Sequence, residues 1–186
     1  ISEFITEITN IPNYYGLQRF GSERLVTHLV GREIIKRNFK RAVEIFLCDT
    51  TEYDTQFSKE IREKFKDPKN YGSVIKTIPK GMDLERNILR SLDNGRDYTA
   101  ALRSLPISIR RLFVHAYQAF IFNRCLSNMI RDGESITSCI KNDFCFKLEN
   151  QLTLGKLMKY LNDDHTEMVP AMHLPGVSRL EVHVLL

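Results

Sequence analysis

Residues 10–24 read NIPNYYGLQRFGSER, and the nine positions of NYYGLQRFG, 13–21, hold two adjacent tyrosines, a glycine and then Gln-Arg-Phe-Gly. Pro12 disfavours helix at Ile11 and aromatic side chains favour a pleated surface. The stretch therefore predicts extended structure over 1–20 and a turn at Gly21-Ser22. In an extended segment Asn13, Tyr15, Leu17 and Arg19 share one face. A ring between an amide and a guanidinium suits a flipped-out base: the ring stacks, the amide fixes a base edge or a neighbouring carboxylate, and the Arg meets phosphate. Alternating aromatics are also common in buried strands, so spacing alone leaves both readings open.

Beyond Gly21 the pattern turns helical. Ser22 is a candidate N-cap for a helix over 23–36, with Leu25, Val26, Leu29 and Val30 as its apolar stripe. Arg24, His28, Arg32 and Lys36 recur every four residues and would share a ridge. Gly31 inside that helix costs about 1 kcal/mol relative to Ala and points to close approach by another backbone. Further helices are predicted over 38–47, 54–66 (stripe Phe57, Ile61, Phe65), 70–78, 82–93, 97–104 and 106–131. The last is apolar nearly all round, the mark of a central helix. Its His115, Gln118 and Asn123 need partners if buried, most simply neighbouring loops. Beyond Gly133, Phe144–Leu148 and Val177–Leu186 read as strands, Leu154–Leu161 as a short helix, and Met172–Gly176 as a turn. The fold class is helix-rich α+β.

At 186 residues, 42% hydrophobic and 27% charged, the chain has material for about one domain with a real core. No apolar run approaches the roughly 20 residues that span a bilayer, and no signal peptide opens the chain. Cys48, Cys125, Cys139 and Cys145 are scattered and read as reduced thiols of an intracellular protein. The net charge of +4 is concentrated: residues 19–41 hold seven Lys or Arg against Glu23 and Glu33, so this segment is +5 and the rest sums to −1. Such a local excess suits a phosphate-contacting surface, and equally an ordinary solvated helix face.

Other chemistry is poorly supported. There is no CxxC or HExxH, and His165 and His173 lie far from the Cys139/Cys145 pair, so no metal site is expected. No Walker or Rossmann glycine loop and no GxSxG elbow occurs. Asp163-Asp164 reads as a solvated pair.

NYYGLQRFG resembles the NYFGxQRFG signature of the TruD family of tRNA pseudouridine synthases, departing at one defined position, Tyr15 for Phe. LFVHAYQAFIFN (112–123) resembles the AYQSYLFN helix of the same family, and RLVTHLVGREIIKRNFKRAVEIFL (24–47) and LPG (174–176) also fit. The resemblance implies isomerisation of uridine to pseudouridine in structured RNA, tRNA foremost, by a cytoplasmic, monomeric enzyme without metal or organic cofactor. It also implies residues 1–34 as a piece of the catalytic domain, 35–176 as the family's inserted helical domain, and 177–186 as a strand returning to the catalytic domain.

Carried across by position, Asn13 orients the catalytic carboxylate and Tyr15 stacks on the target base. Gln18, Arg19, Phe20, Arg24, Arg32 and Lys36 are the further RNA-binding residues expected. The family's catalytic Asp belongs to a GxKD-like motif ahead of this signature, and no such motif precedes Asn13 here. Gly95-Arg96-Asp97 is a superficial echo in the wrong place. The chain also opens without Met on strand-like Ile1–Ile8. It is therefore expected to be part of a longer protein that supplies the Asp, as covalent nucleophile or as proton abstractor. The alternative is a non-catalytic RNA-binding module that keeps the family surface.

Overall fold

The computed structural model describes residues 11–21, 23–150, 153–161, 168–174 and 181–184. Seven α-helices succeed one another among them: α1 Thr27–Ile35, α2 Phe39–Leu47, α3 Gln56–Lys64, α4 Tyr71–Thr77, α5 Asp83–Asp93, α6 Tyr98–Arg103 and α7 Ile107–Arg131. Four strands come after: β1 Phe144–Asn150, β2 Thr153–Lys159, β3 Met168–Leu174 and β4 Glu181–Val184. This is the helix-rich α+β class that the sequence predicts. No helix among the described residues is long and apolar enough to cross a membrane.

The helices begin where local chemistry tells them to. Asn38, Thr55 and Asp97 each accept a hydrogen bond from the backbone N–H three residues on (Arg41, Ser58, Ala100), satisfying a donor that the first turn leaves orphaned. They end at Gly or Pro signals such as Pro79, Gly95 and Gly133, the two glycines at φ of 72° and 76°.

Contacts divide the chain into two compact units, residues 16–117 and residues 1–15 with 118–186. The boundaries fall inside the NYYGLQRFG motif and inside α7.

The 16–117 unit is helical. Its core joins Val30 of α1, Ala42, Val43, Ile45 and Leu47 of α2, Phe65 just past the end of α3, Ile88 and Leu89 of α5, Ala101 and Leu102 of α6, and Phe113 of α7. Gly31 meets the expectation placed on it: an added Cβ would lie 1.9 Å from the Phe113 carbonyl oxygen, so α1 rests directly on the α7 backbone. Phe46 and Phe113 meet edge to face nearby, centroids 5.6 Å apart.

The other unit holds the antiparallel sheet, in the order β2-β1-β3-β4. Cys145 of β1 lies opposite Met158 of β2 and Pro170 of β3, and is fully buried. Phe122 and Leu126 of α7 form a second small core with Tyr15, Met129, Ile136, Met172 and Leu174.

Several expectations fail, each for a physical reason. Residues 11–16 carry no regular structure and Leu17–Phe20 is a 3-10 helix, so the motif is not a strand and Asn13, Tyr15, Leu17 and Arg19 share no pleated face. The predicted Ile1–Ile8 strand, the Ser22 cap and the rest of the Val177–Leu186 strand lie outside the described residues and are not among these failures; Glu181–Val184 is a strand, as expected. The first helix starts at Thr27 because Leu25 adopts φ 53°, outside right-handed helix. Most of the segment predicted as a Leu154–Leu161 helix, through Lys159, is β2 instead, because ladder pairing with β1 outweighs local propensity. Met172–Leu174 belongs to β3, not a turn. Phe57 is 63% exposed and Arg62 takes the inward position on α3. α7 is not apolar all round: Ile107, Leu112 and Ile130 are exposed, while Phe113, Ala116, Ala119, Phe122 and Leu126 form one buried stripe.

Candidate nucleic-acid interface

Asn123 of α7 holds the first part of NYYGLQRFG in place. The Tyr15 backbone N–H donates to Asn123 Oδ1 at 2.9 Å, and Asn123 Nδ2 donates to the Tyr15 carbonyl at 2.9 Å. One side-chain amide thus pairs both polar groups of one peptide residue, as a neighbouring strand would. The Tyr15 ring stands edge-on to Phe122 at 5.6 Å and 81°, a favourable aromatic geometry. The Tyr14 hydroxyl reaches Ser127 Oγ at 3.1 Å. Asn123 and Ser127, four residues apart, share one ridge of α7 and Phe122 flanks it, so this side of the helix receives the motif. The two family motifs, 108 residues apart at this contact, therefore meet. Asn13 and Tyr15 are half-buried.

The second part of the motif lies in the 16–117 unit. Leu17 and Gln18 are exposed and Arg19 is half-buried. Phe20, expected on RNA, is instead buried and packs edge-on against His28 at 5.3 Å. Gly21 has φ 108°, a conformation that favours glycine, and its added Cβ would come within 2.9 Å of Thr27 Oγ1. His28 is held below its ordinary value, first by burial and then by Arg32, so it is neutral at pH 7.

Arg24 is a second correction. Leu25 breaks the helix, so Arg24 lies off the ridge, and its side chain is only 10% exposed. Its Nη1 donates to the Phe46 carbonyl at 2.8 Å and its Nη2 to the carbonyls of Ile45 at 3.1 Å and Asp49. Arg62 Nη1 joins it on Phe46 and Leu47, each at 3.0 Å. Two guanidiniums thus complement the carbonyl end of α2, where the helix dipole is negative. Asp54, its side chain 1% exposed, sits 3.6 Å from Arg24 Nε and 3.5 Å from Arg62 Nε, and Glu85 accepts from Arg62 at 3.2 Å. Burial and the Arg62 charge push the Arg24 guanidinium down to about 10, so it stays charged at neutral pH. Arg24 is committed to the end of α2 and to Asp54, so it lies inside the fold rather than on an exposed ridge.

Arg32 and Lys36 keep part of the expected ridge. Buried Glu33 anchors both: Arg32 Nε donates to it at 2.8 Å, and Lys36 Nζ lies 3.8 Å away. Their side chains remain 41% and 60% exposed, and can still meet phosphate. Among the described residues no group of three or more His, Cys, Asp or Glu is arranged to hold a metal ion.

The family described as tRNA pseudouridine synthase D (TruD) matches residues 1–179. The chain belongs to the TruD family. A TruD relative from Methanosarcina acetivorans, bearing the name probable tRNA pseudouridine synthase D, is 33% identical over 175 residues, 93% of this chain and 38% of its own length. Another of that name from Methanopyrus kandleri is 40% identical over 143 residues, 75% of this chain and 35% of its own. The crystal structure of a TruD protein from Methanosarcina mazei superposes with a TM-score of 0.78 at 30% identity, covering 94% of this chain and 43% of that one. This TruD chain spans about a third of the length of the curated relatives it matches.

Sequence reasoning missed the roles of Asn123 and Arg62. The signal for Asn123 was an amide inside an apolar helix. For Arg62 there was none, since its position on α3 looked like part of a polar face.

Proposed function

We propose that the protein to which this TruD chain belongs converts uridine to pseudouridine in structured RNA, tRNA foremost, in the cytoplasm. The observation that supports this most is the family match over residues 1–179, which contain both NYYGLQRFG and the helix gripping it. The reaction breaks the bond between ribose carbon and uracil nitrogen, turns the base and rejoins it through carbon. The detached base must be held throughout, which calls for a fixed aromatic surface and a positioned carboxylate.

In this reading Tyr15 stacks on the uracil. Asn13 orients the aspartate, supplied by a GxKD-like segment of the longer protein. Gln18 and Arg19 contact the nucleotide backbone, and Arg32 and Lys36 meet phosphates. Residues 35–176 are the inserted domain in this scheme.

The test uses the natural full-length protein with unmodified tRNA transcripts, mapping pseudouridine by its carbodiimide adduct. The wild type is expected to form pseudouridine. Asn13→Ala is expected to slow it roughly 100-fold through a misplaced carboxylate while RNA affinity changes little. Full activity in Asn13→Ala contradicts the positioning role. RNA binding by the wild type without any pseudouridine favours the non-catalytic module instead.

A further inference from the structure

A cavity of about 380 Å3 opens where α1, α2, α6 and the start of α7 meet, wholly inside the 16–117 unit and apart from the residues assigned above. Phe39, Leu102 and Val114 give it apolar walls, and Arg103, Arg110 and Arg111 also line it. Leu102 is buried, whereas Arg103 and Arg111 are exposed, so the charge sits toward the mouth. Arg110 Nε donates to the Leu105 carbonyl at 3.2 Å. Among the described residues none of the three guanidiniums is ion-paired with a carboxylate, whereas Arg24, Arg32, Arg41, Arg62 and Arg86 all are. α7 itself carries four arginines and neither Asp nor Glu.

Uncompensated guanidiniums around an apolar hollow suit a ligand that is flat and apolar at one end and anionic at the other. The planar fork of Arg matches phosphate oxygens. The volume falls in the range of small-molecule sites, roughly 300–1,000 Å3. We propose that this cavity takes one unpaired nucleotide of the RNA substrate, its base inserted against Phe39 and its phosphates held by Arg103, Arg110 and Arg111. This rests on the reading that the protein binds RNA, and adds an anchor point in the helical unit separate from the Tyr15 segment.

Two variants of the full-length protein test it, with binding of an unmodified tRNA transcript measured at several salt concentrations. Arg103→Gln/Arg111→Gln removes charge from exposed positions. Its Kd is expected to rise, and its log–log salt slope to flatten by roughly 1.4 to 1.8, the value for two phosphates. Thr99→Trp fills the cavity from its lining without touching a charge. It is expected to weaken binding roughly 5- to 150-fold, the range for losing one stacked base, with the slope unchanged. Unaltered binding in Thr99→Trp overturns nucleotide insertion even if the arginine pair alters the slope, and unaltered binding in both overturns the site. A wild type that isomerises uridine while neither variant affects binding overturns only this inference. Both binding effects in the variants, together with a wild type that makes no pseudouridine, overturn only the proposed reaction.

Discussion

The Asp54 carboxylate lies between the Arg24 and Arg62 guanidiniums that cover the end of α2. Burial raises its carboxyl, but hydrogen bonds from Ser58 Oγ and the Thr51 N–H, both at 2.7 Å, together with Arg24 and Arg62, more than offset this. The net effect holds it below its ordinary value of 3.8. A carboxyl lowered by folding contributes stability that is present above pH 4 and lost as pH falls through its folded value. Acid unfolding monitored by circular dichroism should therefore steepen below pH 4, and less so in Asp54→Asn. Asp54→Ala leaves two guanidiniums facing each other and should cost about 3–5 kcal/mol in a denaturant titration; a change below about 1 kcal/mol contradicts the capping account. Gly31→Ala drives a methyl into the Phe113 carbonyl. It should lower stability by about 1–3 kcal/mol or more, visible as a lower Tm.

Among the elements, the pairing of Tyr15 with Asn123 joins an irregular segment to a helix through one side-chain amide. Asn123→Ala should remove about 1 kcal/mol for each of two hydrogen bonds and speed hydrogen exchange at the Tyr15 amide. Unchanged exchange there contradicts the clamp. On α1, Arg32→Gln/Lys36→Gln should flatten the salt dependence of RNA binding by roughly 1.4 to 1.8; an unchanged slope returns these residues to a solvated face.

The helices were legible from sequence because apolar residues recur at helical spacing between breakers such as Gly133; the caps at Asn38, Thr55 and Asp97 were not read from it and emerge from the structure. β2 was not legible. Leu154, Lys156 and Met158 point outward while Gly155 and Leu157 are half-buried, a period of two obscured by a short apolar run. Arg24 misled because four-residue spacing implies a ridge only if the helix is unbroken, and the φ of Leu25 breaks it. The meeting of Tyr15 with Asn123 could not come from local pattern, since 108 residues separate them.

At the scale of the molecule, the chain crosses between its two compact units at Tyr15/Gly16 and again at Tyr117/Gln118, inside both motifs that mark the family. Each unit has its own core, one helical and one built on Phe122, Leu126 and neighbouring side chains. The family and the α+β class rest on the match and the superposition. The central claim is that the Tyr15 ring, held on α7, carries the target base. The most direct measurement is single-turnover pseudouridine formation by the full-length protein with Tyr15→Ala and Tyr15→Phe, alongside their melting temperatures. The account predicts a loss of roughly 5- to 150-fold for Ala, the value of one stacked base, and near wild-type rates for Phe, whose ring survives. Wild-type rates in Tyr15→Ala, with the protein still folded, would contradict it.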